Sequence, residues 1–149
     1  MLLVRTRLGV SEIDGIGLFA DENIARGAII WRFDPSIDQR FSEDMLPRLS
    51  LGAREQIEKY SYREKHSGLY VLCGDDARFF NHSTDPNCID IYEDAANPDD
   101  AHDVTLALRD IAKGEELTCD YSLFDQDLVD GKYHLPMRER PIAVPAWSS

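Results

Sequence analysis

Apolar and polar positions alternate over short stretches along most of this 149-residue chain, and one stretch alone carries helical spacing. Leu2 to Arg7, Gly15 to Ala20 and Ala28 to Phe33 each have the apolar and β-branched content of a strand, the second following an Asp-Gly turn. Leu69 to Cys73 and Cys88 to Tyr92 read as two more strands. Val104 to Leu108 sets Val, Leu and Leu against Thr and Ala, as a half-buried strand does, and a Lys113-Gly114 turn leads to a last strand at Glu116 to Tyr121. Residues 42 to 65 break this rhythm. Ser42 followed by Glu43 and Asp44 has the form of a helix N-cap, Ile57 and Tyr60 share a helical face, and Glu55 and Lys59 stand at i,i+4. Pro47 and Gly52 divide the stretch into two short helices. The tail from Asp130, with Pro136, Pro141 and Pro145, reads as irregular. The expectation is a mostly β, α+β domain over residues 1 to 149, with a core at about 9 to 125, a helical insert at about 42 to 65 and a tail at about 126 to 149.

Asn23-Ile24-Ala25-Arg26-Gly27 is echoed by Asp110-Ile111-Ala112-Lys113-Gly114. The unit is too short for a structural repeat and reads as two similar turns that use Gly where φ is positive. Acids outnumber bases 28 to 16, for a net charge of −12, which repels a phosphate backbone and makes nucleic acid an unfavourable direct ligand. Asp90, Glu93, Asp94, Asp99, Asp100 and Asp103 form an acidic loop around Asn97-Pro98, which reads as a solvated run and is compatible with a basic peptide. The longest apolar runs are too short to span a membrane, and Arg5 and Arg7 interrupt the apolar N-terminus, so a cytoplasmic protein is expected. Cys73, Cys88 and Cys119 form no Cys-x-x-Cys pair, and free thiols without a bound metal are expected.

The densest polar cluster is Arg78-Phe79-Phe80-Asn81-His82-Ser83, followed by Pro86-Asn87-Cys88. Asn offers both a donor and an acceptor, and His stacks or hydrogen-bonds, so Asn81 and His82 suit a purine and a charged amine. Gly15 and Gly17 lack Cβ, which lets their backbone approach a ligand and present amide and carbonyl groups to an amino acid moiety.

Together with Gly15-Ile16-Gly17-Leu18-Phe19 and Gly114-Glu115-Glu116-Leu117-Thr118-Cys119-Asp120-Tyr121, this cluster resembles three motifs of the SET-domain protein-lysine methyltransferases, in matching order and spacing across residues 9 to 125. The resemblance implies small curved sheets with a threaded, pseudoknot-like segment that brings the Asn-His and Asp-Tyr motifs together. It implies S-adenosylmethionine as cofactor, held by Gly15, Ile16, Gly17, Leu18, Arg78, Phe79, Asn81 and His82. It also implies a tunnel for a substrate lysine, lined by Tyr121, Cys119 and Phe124, with Tyr70 as a second tunnel tyrosine. Tyr121 would orient the amine without acting as a base, since a phenol titrates near pH 10. Cys119 stands where the family usually has Phe or Tyr, and its small side chain implies a roomier tunnel and di- or trimethylated product.

The chain departs from the family at Thr84, where Cys is common, and at Cys73, where many relatives have an acid. It lacks a cysteine-rich zinc segment after the domain, so the tunnel is closed by the tail with Phe124, Tyr133 and Trp147, by residues 42 to 65, or by a second subunit in a homodimer. The expected partner is a basic protein or peptide such as a histone tail. Two other functions fit parts of the sequence: an idle SET-like module that binds basic peptides, and a hydrolase using Cys88 or Cys119 with His82.

Overall fold

A computed structural model describes residues 1–93 and 102–132. Four small sheets are built from ten strands: β1 (Thr6–Val10) with β2 (Ile16–Ala20); β3 (Ile29–Arg32) with β9 (His102–Ala107) and β8 (Cys88–Glu93); β4 (Gln39–Phe41) with β6 (Tyr70–Leu72) and β5 (Ser61–Arg63); and β7 (Asn81–His82) with β10 (Thr118–Cys119). β6 and β9 are the central strands of their sheets, and Val71 and Val104 on them are fully buried. Among the described residues no helix is long and apolar enough to cross a membrane.

Between β4 and β5 lie a 3-10 helix, Glu43–Arg48, and α1, Leu51–Tyr60. The helical insert therefore ends at Tyr60, and residues 61 to 63 belong to the sheet. The break falls at Leu49 and Ser50, with Ser50 accepting from the Ala53 amide, while Gly52 sits inside α1. Ser42 makes no such cap and bonds Asp44 instead. The i,i+4 ion pair that closes on α1 is Arg54 with Glu58, at 2.8 Å. The first strand is also displaced: Leu2 makes an isolated bridge to Trp31, and the ladder with β2 starts at Thr6.

The echoed segments pair with each other. Ile24 and Ile111 exchange reciprocal backbone hydrogen bonds of 2.8 Å. The Lys113 amide donates to Asn23 Oδ1 and the Arg26 amide to Asp110 Oδ1, so equivalent positions make equivalent bonds. Gly27 and Gly114 take φ of 79° and 95°, the left-handed region that a side chain disfavours.

The final strand is shorter than the sequence predicts, because residues 116 to 119 are gripped from three sides. The Leu117 amide donates to the Leu18 carbonyl of β2 at 2.8 Å. Thr118 and Cys119 run parallel to Asn81 and His82. The buried Asn87 side chain donates to the Glu116 carbonyl at 2.8 Å and accepts from the Thr118 amide at 2.9 Å. Asp120 then accepts from the Ser122 amide and starts a 3-10 turn at Tyr121. This enclosed segment joins the Asn-His and Asp-Tyr motifs, and α2 (Gln126–Val129) follows it. One apolar cluster packs beneath it around Leu18, Ile30, Ile111 and Leu117, and a second gathers Trp31, Val71, Cys73 and Ala77.

Candidate active site

Two compartments lie on either side of β7. In the first, the Asn81 amide nitrogen is shared among the carbonyls of Asp14 (3.1 Å) and Ile16 (3.4 Å) and the Glu116 carboxylate (2.9 Å). Ser11, itself buried, donates to the same carboxylate at 2.7 Å. A Cβ on Gly17 would fall 2.2 Å from Glu116 Oε1, so glycine is what lets this carboxylate close over β2. The carbonyls at 14 and 16 and the Glu116 oxygens, with the Asn81 amide among them, form a cradle of acceptors with the polarity that an amino acid ammonium requires. Gly15, Ile16 and Gly17 lie on its rim, whereas Leu18 is fully buried in the core beneath it.

The second compartment is a channel of about 310 Å³ walled by Trp31, Tyr62, Phe80, Cys119, Tyr121 and Phe124. Its rings pack edge to face: Tyr62 on Phe124 at 5.1 Å and Tyr121 on both Phe124 and His82 at 5.5 Å. The Tyr121 hydroxyl donates to the Phe80 carbonyl, which leaves its lone pairs as acceptors. Burial pushes this phenol well up, so it stays protonated at neutral pH. The Tyr121 amide donates to His82 Nδ1 at 3.2 Å, which places the proton of a neutral imidazole on Nε2. Phe80 faces the channel and Asn81 the cradle, so one short segment serves both compartments.

Tyr70 is not in the channel. It stacks on Phe41 at 5.7 Å and donates its hydroxyl to Asp127 at 2.7 Å, and its phenol is pushed up to about 12, by burial first. The reason is strand parity. Val71 and Cys73 face the second apolar cluster, so Tyr70 faces away, and Tyr62, paired with Val71 on β5, supplies the channel tyrosine. Arg78 reaches the channel wall while Phe79 packs edge-on against Tyr60 at 5.6 Å. The insert contributes Glu58, Lys59 and Tyr60 to the channel lining and β5 adds Ser61 and Tyr62, together with Phe124. Tyr133 and Trp147 lie outside the described residues, as do Asp94, Asp99 and Asp100 of the acidic run. Asp90 and Asp103, assigned to that loop, instead stand on β8 and β9.

The three cysteines are free and buried. Burial pushes the Cys119 thiol well up, so it offers His82 no thiolate nucleophile, and the buried Cys88 thiol donates to Asn87 at 3.3 Å. Glu64, His66 and Asp103 bring ligand atoms within 4.8 Å of one another. Arg40 and Ser67 already engage Glu64, and Tyr62 donates to Asp103 at 2.7 Å. Asp103 is pushed up to about 7 by burial and by the neighbouring Glu64 charge, so this group is a self-contained acid pair.

The sequence model of the SET domain matches residues 15–122. The chain belongs to the SET-domain family. Among similar SET proteins, histone-lysine N-methyltransferase trr of Drosophila melanogaster is 28% identical over 141 residues, covering 87% of this chain and 5% of its own length. Human histone-lysine N-methyltransferase 2B is 32% identical over 121 residues, covering 78% and 4%. The H3 lysine-36 specific enzyme of Schizosaccharomyces pombe is 32% identical over 120 residues, covering 76% and 14%. The chain thus spans a small part of these relatives' length. A Plasmodium falciparum crystal structure described as a candidate histone methyltransferase shares the fold, with a TM-score of 0.58 at 21% identity over 80% of this chain and 95% of that one. The structure of ctPRC2 in an autoinhibited conformation bound to S-adenosylmethionine gives 0.59 at 25% identity, over 84% and 16%.

Ser11 reaches the cradle, and Trp31, Tyr62, Asp90 and Thr105 reach the channel, although no motif marked them. Tyr62 becomes legible only once β5 is paired with β6, because that register sets Tyr62 opposite Val71 and Tyr70 opposite Arg63. Glu116 lay inside a quoted motif without a role.

Proposed function

We propose that the chain is an S-adenosylmethionine-dependent protein-lysine N-methyltransferase acting on a basic segment of a histone or another lysine-rich protein. One observation carries this reading: residues 80 to 82 place Asn81 in a glycine-rimmed cradle and Phe80 in an aromatic channel walled by Tyr121. S-adenosylmethionine supplies a methyl group activated by its sulfonium. The carbonyls of Asp14 and Ile16 and the Glu116 carboxylate would accept from its ammonium, and Asn81 would exchange its internal bonds for ligand ones. In the channel, aromatic walls remove water from a lysine ammonium whose ordinary pKa is near 10.4, which favours the neutral, nucleophilic amine. Tyr121 accepts an N–H and orients the nitrogen, and its donated proton stays with Phe80. Cys119 leaves room for more than one methyl group.

Glu58 and Asp125 line both the channel and an adjoining groove that also holds Glu43 and Asp127, where Arg54 and Lys132 pair with Glu58 and Asp127, so a basic peptide would have to exchange with these internal cations. The test is incubation with isotopically labelled S-adenosylmethionine, purified histones and lysine-rich ribosomal proteins, with mass spectrometry locating the label. Label on lysine Nζ is expected. Cofactor binding with no transfer to any lysine would favour the idle module.

A further inference from the structure

The sheet β3–β9–β8 sets three channel residues in one row, because Trp31 pairs with Thr105 and Thr105 with Asp90. Thr105 Oγ1 donates to Asp90 Oδ1, which satisfies one carboxylate oxygen within the row. The other oxygen, Oδ2, is shielded from solvent and has no hydrogen-bond partner, and the Trp31 indole N–H has none either. The Cys119 thiol lies against this carboxylate, but a thiol is too weak a donor to replace an N–H. A buried, half-satisfied carboxylate destabilises a fold unless a ligand brings the missing donor. The titratable groups facing it are Tyr62 from β5, Cys73 beyond β6, Cys119 from β10 and Tyr121, with Asp103 behind Tyr62. Burial pushes all four of these phenols and thiols up, so they are neutral at pH 7. Burial also raises the Asp90 carboxyl, against the Thr105 and Cys119 hydrogen bonds, so a donor that completes Oδ2 favours its charged form. Glu58, Lys59, Arg78 and Asp125 are the other charged residues of the channel lining.

We propose that Asp90 is a positioning residue whose Oδ2 accepts an N–H from the substrate ε-amine, and that this contact stops methylation at dimethyl-lysine. The proposal rests on the methyltransferase reading above. During transfer the nitrogen lone pair forms the N–C bond while the C–S bond breaks with its electron pair passing to sulfur. The nitrogen becomes cationic next to a fixed carboxylate, which stabilises the transition state relative to free substrate. The methylated lysine leaves as the ammonium and exchanges its proton with bulk water. A neutral primary amine has two N–H bonds, one for Tyr121 and one for Asp90, and a monomethyl amine keeps one for Asp90. A neutral dimethyl amine has none, so the third transfer would leave the buried carboxylate facing methyl groups alone.

The experiment takes the lysine peptide labelled in the assay above, synthesised with unmodified, monomethyl and dimethyl lysine, and measures kcat/KM with wild type, Asp90→Asn and Asp90→Leu. S-adenosylmethionine affinity and melting temperature are measured on the same samples. Wild type should use the dimethyl peptide about 10- to 100-fold less well than the unmodified one, the range of a lost charge-assisted hydrogen bond. Asp90→Asn should lower kcat/KM on the unmodified peptide by a similar factor. It should also move the pH at which kcat levels off downward, because a bound amine without an adjacent carboxylate is less basic. Neither variant should melt lower than wild type, and Asp90→Leu should bring the unmodified and dimethyl peptides to within about threefold of each other. An Asn variant with unchanged kcat/KM and pH profile, a wild type that adds the third methyl as readily as the first, or two variants that melt early would each overturn the proposal. A wild type that binds no S-adenosylmethionine or methylates none of the peptides defeats the methyltransferase reading, and this proposal with it.

Discussion

The cradle and the channel share β7, yet they treat their polar atoms in opposite ways. In the cradle, Ser11, Asn81, Glu116 and the carbonyls of residues 14 and 16 satisfy one another. In the channel, Asp90 Oδ2 and Trp31 Nε1 are buried without partners. A satisfied compartment is shaped before its ligand arrives and trades internal bonds for ligand bonds, so removing one partner leaves the remaining groups unpaired and weakens binding. An unsatisfied compartment gains the full value of each bond that the substrate completes, and it costs stability until then.

The largest effect should come from the wall between them. Tyr121→Phe removes the acceptor that orients the amine, and methyl transfer should fall roughly 10²–10³-fold, the scale of losing one preorganised transition-state contact. The fold should survive, because the ring contacts with His82 and Phe124 remain. Turnover close to wild type would return Tyr121 to the status of a packing residue.

Cys119→Tyr sharpens the comparison from the channel side. Cys119 is 2% exposed between Asp90 and Cys88, so a larger side chain must enter the channel space or overpack the core. We expect the product to shift toward monomethyl-lysine, with a stability loss of about 1–3 kcal/mol. Mass spectra of the product and a melting curve decide: destabilisation with an unchanged product would show that Cys119 does not limit the channel.

The smallest effect should come from the displaced tyrosine. Tyr70→Phe removes one hydrogen bond to Asp127, which keeps Lys132 at 2.9 Å and Arg63 at 3.2 Å, so a denaturant titration should show a loss of about 1 kcal/mol. Methyl transfer should be unchanged. A loss of turnover comparable to that of Tyr121→Phe would put Tyr70, not Tyr62, in the channel.

The same contrast separates what could be read in the sequence from what could not. The cradle draws Gly15 to Gly17, Asn81 and Glu116 from three quoted motifs, so most of its composition was visible in the chain, although Ser11 lay outside them and Glu116 had no role assigned. The channel floor is a row across three strands. Trp31, Thr105 and Asp90 meet only through register, and Asp90 was hidden as the first member of an acidic run whose other members include Glu93 and Asp103. Tyr70 was misplaced because its strand has one face in the core and one in the groove, and apolar content does not distinguish Tyr70 from Val71. The helical insert was visible as a break in alternation. Its division was set by the Ser50 cap, a stronger local signal than Gly52, which an exposed helix tolerates at about 1 kcal/mol.

The central claim is that β7 separates cofactor binding from methyl transfer. It is tested by titrating S-adenosylmethionine calorimetrically into wild type, Asn81→Ala and Tyr121→Phe while following methyl transfer to lysine in the same preparations. Asn81→Ala should bind the cofactor roughly tenfold or more weakly, in line with about 1–3 kcal/mol for an amide removed from a closed polar site. Tyr121→Phe should bind it as wild type does and fail only in transfer. Unchanged affinity in folded Asn81→Ala, or a joint loss of affinity and transfer in Tyr121→Phe, would contradict the division.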